Sequence, residues 1–168
     1  MKFLIFAVII LSAIGLSFGG WAVGATTATV SATVTAQNVS VTVSDGTVAY
    51  GTLGLSSSTS TLASALNDIQ TATNAGNVAE NFNIKTSDAT GGITWVATST
   101  PGSDLFTHSF STNSGGAWTA MASSSYSTLA TNKAASGTQT FDLKLETPTA
   151  SSDYVQKTIT VTVQAVAY

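Results

Sequence analysis

Side chains able to do chemistry are few in this chain, and they are scattered. His108 is the single histidine, cysteine is absent, and the carboxylates are Asp45, Asp68, Glu80, Asp88, Asp104, Asp142, Glu146 and Asp153. A serine–histidine–aspartate triad would have to use His108 as its base, yet no Gly-x-Ser-x-Gly turn follows the apolar N-terminus. Zinc takes several His or Cys ligands, which one histidine cannot supply. His108 alternates with Phe106 and Phe110, so it reads as a satisfied structural imidazole on an aromatic sheet face. Glycoside hydrolysis needs two facing carboxylates, and no pair falls in an aromatic-rich segment. The expectation is a protein that is not an enzyme and carries no cofactor.

A second pattern concerns binding. Ser-Asp recurs at Ser44-Asp45, Ser87-Asp88, Ser103-Asp104 and Ser152-Asp153, each at an expected strand end. Aspartates there accept hydrogen bonds from nearby amides and form Asx-turns. Loop carboxylates are also hard ligands for calcium, which makes Asp45, Asp88, Asp104 and Asp153 the weak metal candidates, although no Asp-x-Asp-x-Asp-Gly run supports them. Trp95 is expected in the core. Trp118 follows Gly115-Gly116 and is the candidate contact for a sugar ring.

These residues need a scaffold, and the chain announces one early. Lys2 precedes an apolar run from Phe3 to Phe18, then Gly19-Gly20 and the small residues Val23-Gly24-Ala25. A basic start, an apolar centre and a small-residue exit make a secretory signal over residues 1–25. The alternative is retention of that segment as an anchor, the one route to a membrane. Secretion to the extracellular space or cell surface is expected, and a disulfide-free secreted chain fits a bacterial or archaeal surface. The formal net charge is −3 with five Lys and no Arg, so no basic patch exists for nucleic acid. Ser and Thr supply about three residues in ten, and a β-branched hydroxyl residue suits the wet face of a strand.

Period-two alternation then runs through residues 26–168. Ala28, Val30, Ala32, Val34 and Ala36 share one face and Thr29, Ser31, Thr33 and Thr35 the other, predicting a long strand. At Gln37-Asn38 the phase slips to Val39, Val41 and Val43, which signals a bulge, a bend or a break. Asp45-Gly46 predicts a hairpin into Thr47–Tyr50. Further strands are expected over 68–73, 78–86, 92–98, a hairpin of 104–111 with 117–121, then 138–146 with Asp142 and Lys144 outward, and a longest strand over 154–167. Residues 51–64 and 122–137 read as loops. Nine or ten short strands with polar turns predict a single antiparallel β-sandwich, of jelly-roll or immunoglobulin-like kind.

Two pieces carry a family likeness: the strand beginning Thr26-Thr27-Ala28-Thr29-Val30 directly after the signal, and Thr71-Ala72-Thr73-Asn74-Ala75-Gly76-Asn77-Val78. In these the chain resembles the TasA/camelysin-like biofilm-fibre proteins and the related archaeal bundling-pilus subunits. The resemblance implies a jelly-roll subunit whose N-terminal strand inserts into its neighbour. The metallopeptidase activity attached to camelysin-like members is not carried over, since no zinc-ligand set is present. Residues 26–36 are thus the candidate donor strand, with Ala28, Val30, Ala32, Val34 and Ala36 as inserted side chains. The expected function is a structural subunit of a surface filament or matrix, with other copies of the chain as partners. The alternative is a monomeric adhesion or carbohydrate-binding module whose partners are surface glycans.

Overall fold

The computed structural model describes Thr27–Tyr168; the predicted signal, residues 1–25, lies outside the described residues. The chain divides into two units between Thr35 and Ala36. In the first, Thr27–Thr35 forms no strand, and Val30 and Val34 are 93% and 95% exposed. The predicted long strand over Ala28–Ala36 is therefore corrected. Alternation specifies which face a strand would bury, but a strand also needs a partner for its backbone groups.

In the second unit every regular element is a strand: β1 (Val41–Val43), β2 (Ser58–Ser60), β3 (Gln70–Asn74), β4 (Glu80–Thr86), β5 (Val96–Ala97), β6 (Leu105–Ser111), β7 (Thr119–Ala120), β8 (Ser127–Lys133), β9 (Thr138–Glu146) and β10 (Val161–Ala167). The larger sheet has the order β1-β3-β9-β6-β5, with β2 also on β9 and β7 on β6; the smaller is β10-β4-β8. Strand β9 organises the larger sheet. Its first half pairs with β3, and its second half lies between β2 and β6.

The core follows from alternation. On β4, Phe82 and Ile84 are fully buried while Asn81, Asn83 and Lys85 are only partly so. They meet Ala72, Phe110, Phe141 and Leu143 from the larger sheet and Leu129 and Ala130 from β8. A smaller cluster of Ala89, Phe106 and Leu145 lies beside Trp95, which is half-buried rather than a core tryptophan. The two sheets thus share one apolar interior, as a sandwich requires.

Several expectations are corrected. The larger sheet is mixed, because β5 runs parallel to β6. The chain reverses twice between them, the second time through the reciprocal Gly102–Leu105 backbone bonds, with Asp104 at φ 53°. Asp45 and Gly46 do turn, at φ 64° and 73°, but no hairpin follows. Strand β1 pairs with β3 instead, and Val48 and Tyr50 go to the core. Two expected loops contain β2 and β8. Strand β8 hides its period because its register against β4 shifts between Phe82 and Asn83, placing Leu129 and Ala130, adjacent in sequence, both inside. The expected strand over 92–98 shrinks to β5, and Ile93 is exposed. The last strand starts at Val161, because Tyr154–Thr160 is held as a loop, and β9 is the longest at nine residues. Asp142 is buried, not outward; Thr61, the residue after β2, donates its hydroxyl to that carboxylate at 3.3 Å.

Phe82→Ala removes the side chain on which both sheets close. It should lower the unfolding free energy by about 3–5 kcal/mol. Val34→Ala should change it by less than about 0.5 kcal/mol. Urea denaturation followed by tryptophan fluorescence measures both.

Candidate functional site

The residues with most bearing on function surround Ala36–Ser40, the first residues of the second unit. Asn74 ends β3, and its buried side chain shapes the turn that follows. Its Nδ2 donates to the carbonyls of Val78 at 2.7 Å and Lys133 at 2.8 Å, and its Oδ1 accepts the Gly76 amide at 2.8 Å. An asparagine serves here because one side chain supplies both donors and an acceptor. The turn then presents Asn77 outward. Asn77 Oδ1 accepts the Asn38 amide, and its Nδ2 donates to the Ala36 carbonyl, both at 2.8 Å. The Asn77 amide donates to Asn38 O at 3.1 Å, and the Ala75 amide donates to Ser40 O at 2.8 Å.

Glu80 completes this clamp. It is fully buried, and its Oε1 accepts the Ser40 amide at 2.8 Å, while Oε2 has no partner among the described residues. Gly76 is required by space: a methyl there would run into the Asn38 carbonyl and the Glu80 carboxylate. The segment Ala36–Ser40 is thus fixed along its backbone by four side chains or amides of one turn. Gln37-Asn38, expected as a bulge, bend or break, is this pinned stretch. The sequence predicts a turn at Asn74-Ala75-Gly76-Asn77 between two strands, and the structure has it, but nothing local shows that the turn holds Ala36–Ser40. The signal for the turn was the Asn-x-Gly-Asn pattern, whose side chains bond backbone in turns.

The other expected site residues separate. Asp45 Oδ1 accepts the Thr47 amide and hydroxyl, at 3.2 and 2.7 Å, as an Asx-turn. Asp88 Oδ1 accepts the Ala97 amide at 2.9 Å. Asp104 and Asp153 come together through Ser151, whose hydroxyl donates to Asp104 Oδ1 and accepts the Asp153 amide. Asp153 also accepts the amides of Ile93 and Val155 and pairs with Lys157. The bond from Lys157 first, then that from Val155, holds its carboxyl below the usual range. Among the described residues, no three acidic or histidine side chains gather as a metal set.

Trp118 is half-buried, with Lys144 Nζ 5.5 Å from its ring centroid and Lys144 bonded to Glu146 at 3.0 Å. His108 is buried between the sheets. One ring nitrogen meets Tyr50 Oη at 2.9 Å and the other meets Thr86 Oγ1 at 3.0 Å. Burial holds the imidazole down to about 4, and it raises the Tyr50 phenol, with Asp68 adding to that rise. A comparison of the chain with protein-family models, curated proteins and solved structures returns no match.

Gly76→Ala should destabilise the body by about 1–3 kcal/mol. It should also speed hydrogen exchange at the amides of Asn38 and Ser40 while Phe82 keeps its protection. His108 gives a second expectation. Its folded value of about 4 lies below the ordinary 6.5, so the unfolded chain binds the extra proton first and stability falls as pH drops through that window. The loss should reach roughly 3 kcal/mol by pH 4. In His108→Gln, urea denaturation across the window should show that component gone.

Proposed function

We propose that the protein is a secreted structural subunit of a cell-surface filament or extracellular matrix, assembling by β-strand addition through residues 26–36. The observation that supports this most is the pairing of a nearly fully exposed apolar alternation with a rigid root. Val30 and Val34 sit at 93% and 95% exposure, while Ala36–Ser40 is clamped by Asn77, Glu80 and the backbone of their turn. A strand added to another molecule's sheet edge satisfies its backbone there and places alternate side chains in that molecule's core. A contact of this kind that does not close on itself propagates as a fibre. The role is non-catalytic, the partners are other copies of the chain, and the signal over residues 1–25 delivers the subunit outside the cell. The likeness to biofilm-fibre and bundling-pilus subunits of jelly-roll type agrees with this reading. The sparse charge and hydroxyl-rich faces are also suited to close lateral contact.

Deleting residues 26–36 from the secreted chain should abolish filaments in negative-stain microscopy while far-ultraviolet circular dichroism keeps its β signature. Val30→Asp with Val34→Asp should do the same at unchanged length, since a carboxylate is costly in an apolar slot. Filaments of normal length from either variant would sink the reading. Saturable glycan binding by a monomer, lost in Trp118→Ala, would favour the adhesion alternative.

A further inference from the structure

Strand β10 is the edge least defended against another chain. Among the described residues it pairs only with β4, over all seven residues and with no shift of register. Natural edges are blunted by charge, proline, bulges or shortness. Val161–Ala167 carries neither charge nor proline. The other edges differ: β8 shifts register against β4 and holds Asn132 at φ 51°, and β1 has three residues.

The core is also incompletely covered along this flank. Val161, Val163 and Ala165 pack against the interior yet are only half-buried, as are Val41 and Val43 of β1. On the opposite edge, Leu129 and Ala130 of β8 are 5% and 9% exposed. Strands β1 and β10 approach each other without pairing, so the thin side of the sandwich lies between them.

Resting on the strand-addition reading above, we propose that this flank receives residues Thr27–Ala36 of a second copy, running antiparallel to β10. The segment fits in length. Fully extended it reaches about 33 Å, whereas a seven-residue strand needs about 23 Å. It also fits in pattern, with Ala28, Val30, Ala32, Val34 and Ala36 turned toward the half-buried valines and its hydroxyl residues outward.

Direction follows from the clamp. Strand β10 runs from beside Thr86 to beside Glu80, and the root of the donor segment is held at the Glu80 end. When copies stack with the Glu80 end of one on the Thr86 end of the next, the segment arrives beside Val161. It then runs, from its C-terminal to its N-terminal side, toward Ala167, which is antiparallel. Folding back into the same body, or reciprocal exchange in a two-fold dimer, brings the segment in from the Glu80 end and makes it parallel. Strand polarity therefore separates an open filament from a closed particle.

The chain has no cysteine, so engineered pairs read the geometry directly. In the secreted chain Thr35→Cys is combined in turn with Thr162→Cys, Gln164→Cys and Val166→Cys, and separately with Thr128→Cys on β8 and Thr42→Cys on β1. Mild oxidation of assembled material should give a reducible multimer ladder, strongest with Thr162→Cys and at least several-fold weaker with Val166→Cys. The reverse gradient, ending at a dimer or at an internally bridged monomer, overturns the antiparallel assignment. Filaments whose cross-links go to Thr128 or Thr42, or that show none to β10, overturn the acceptor edge but leave strand addition standing. Absence of filaments from the unsubstituted chain overturns both.

Discussion

Side-chain packing joins the two sheets, since no disulfide can. Phe82 and Ile84 project from β4 into the space bounded by Phe110, Phe141 and Leu143, and each such side chain contributes about 1.5–3 kcal/mol by leaving water. This contact fixes registers throughout the body. A one-residue slip of β4 against β8 or β10 would turn the pair outward and expose them. It also explains why β9 is long. That strand must carry Phe141 and Leu143 to the core while supporting β3, β2 and β6 along its edges.

Two polar side chains enter this interior as satisfied sets, whereas Glu80 Oε2 and Thr107 Oγ1 are buried without a partner among the described residues. His108 uses both ring nitrogens, one on Tyr50 and one on Thr86, so a strand of each sheet and the loop after Asp45 meet at one neutral imidazole. The loop carries Tyr50 inward for that bond, which accounts for the missing hairpin after a turn whose backbone is otherwise as expected. Asn74 plays the corresponding part at the other end of β4, holding the turn that clamps Ala36–Ser40.

The same economy in charge shapes the surface. Three lysines lie over aromatic rings, Lys85 on Tyr126, Lys144 on Trp118 and Lys157 on Trp95, so little charge remains for guarding sheet edges. Solubility falls to serine and threonine hydroxyls, which hydrate a strand without repelling another one. The consequence is a body with a firm centre and a flank along β1 and β10 whose apolar side chains are half-covered.

What the sequence determined was local and periodic. The strand over Thr138–Glu146 was legible to the residue because Phe141, Leu143 and Leu145 repeat at period two between clear turns, and β4, β6 and the pairing of β6 with β7 were legible for the same reason. The all-β class, the Asx-turn at Asp45 and the placing of His108 on an aromatic sheet face also needed no partner information. The tertiary structure decided what depends on a second segment. It made β5 parallel to β6, buried Asp142 beside Thr61, brought Asp104 to Asp153 through Ser151, and inserted β8 where a register shift erases alternation. It also placed Asn77 and Glu80 on the backbone of Ala36–Ser40. The physical reason is common to all of them. Periodicity states which side chains face together, whereas pairing and clamping depend on which distant backbone groups find donors and acceptors. For residues 27–35 the alternation is plain, but a strand forms only where some edge satisfies the backbone.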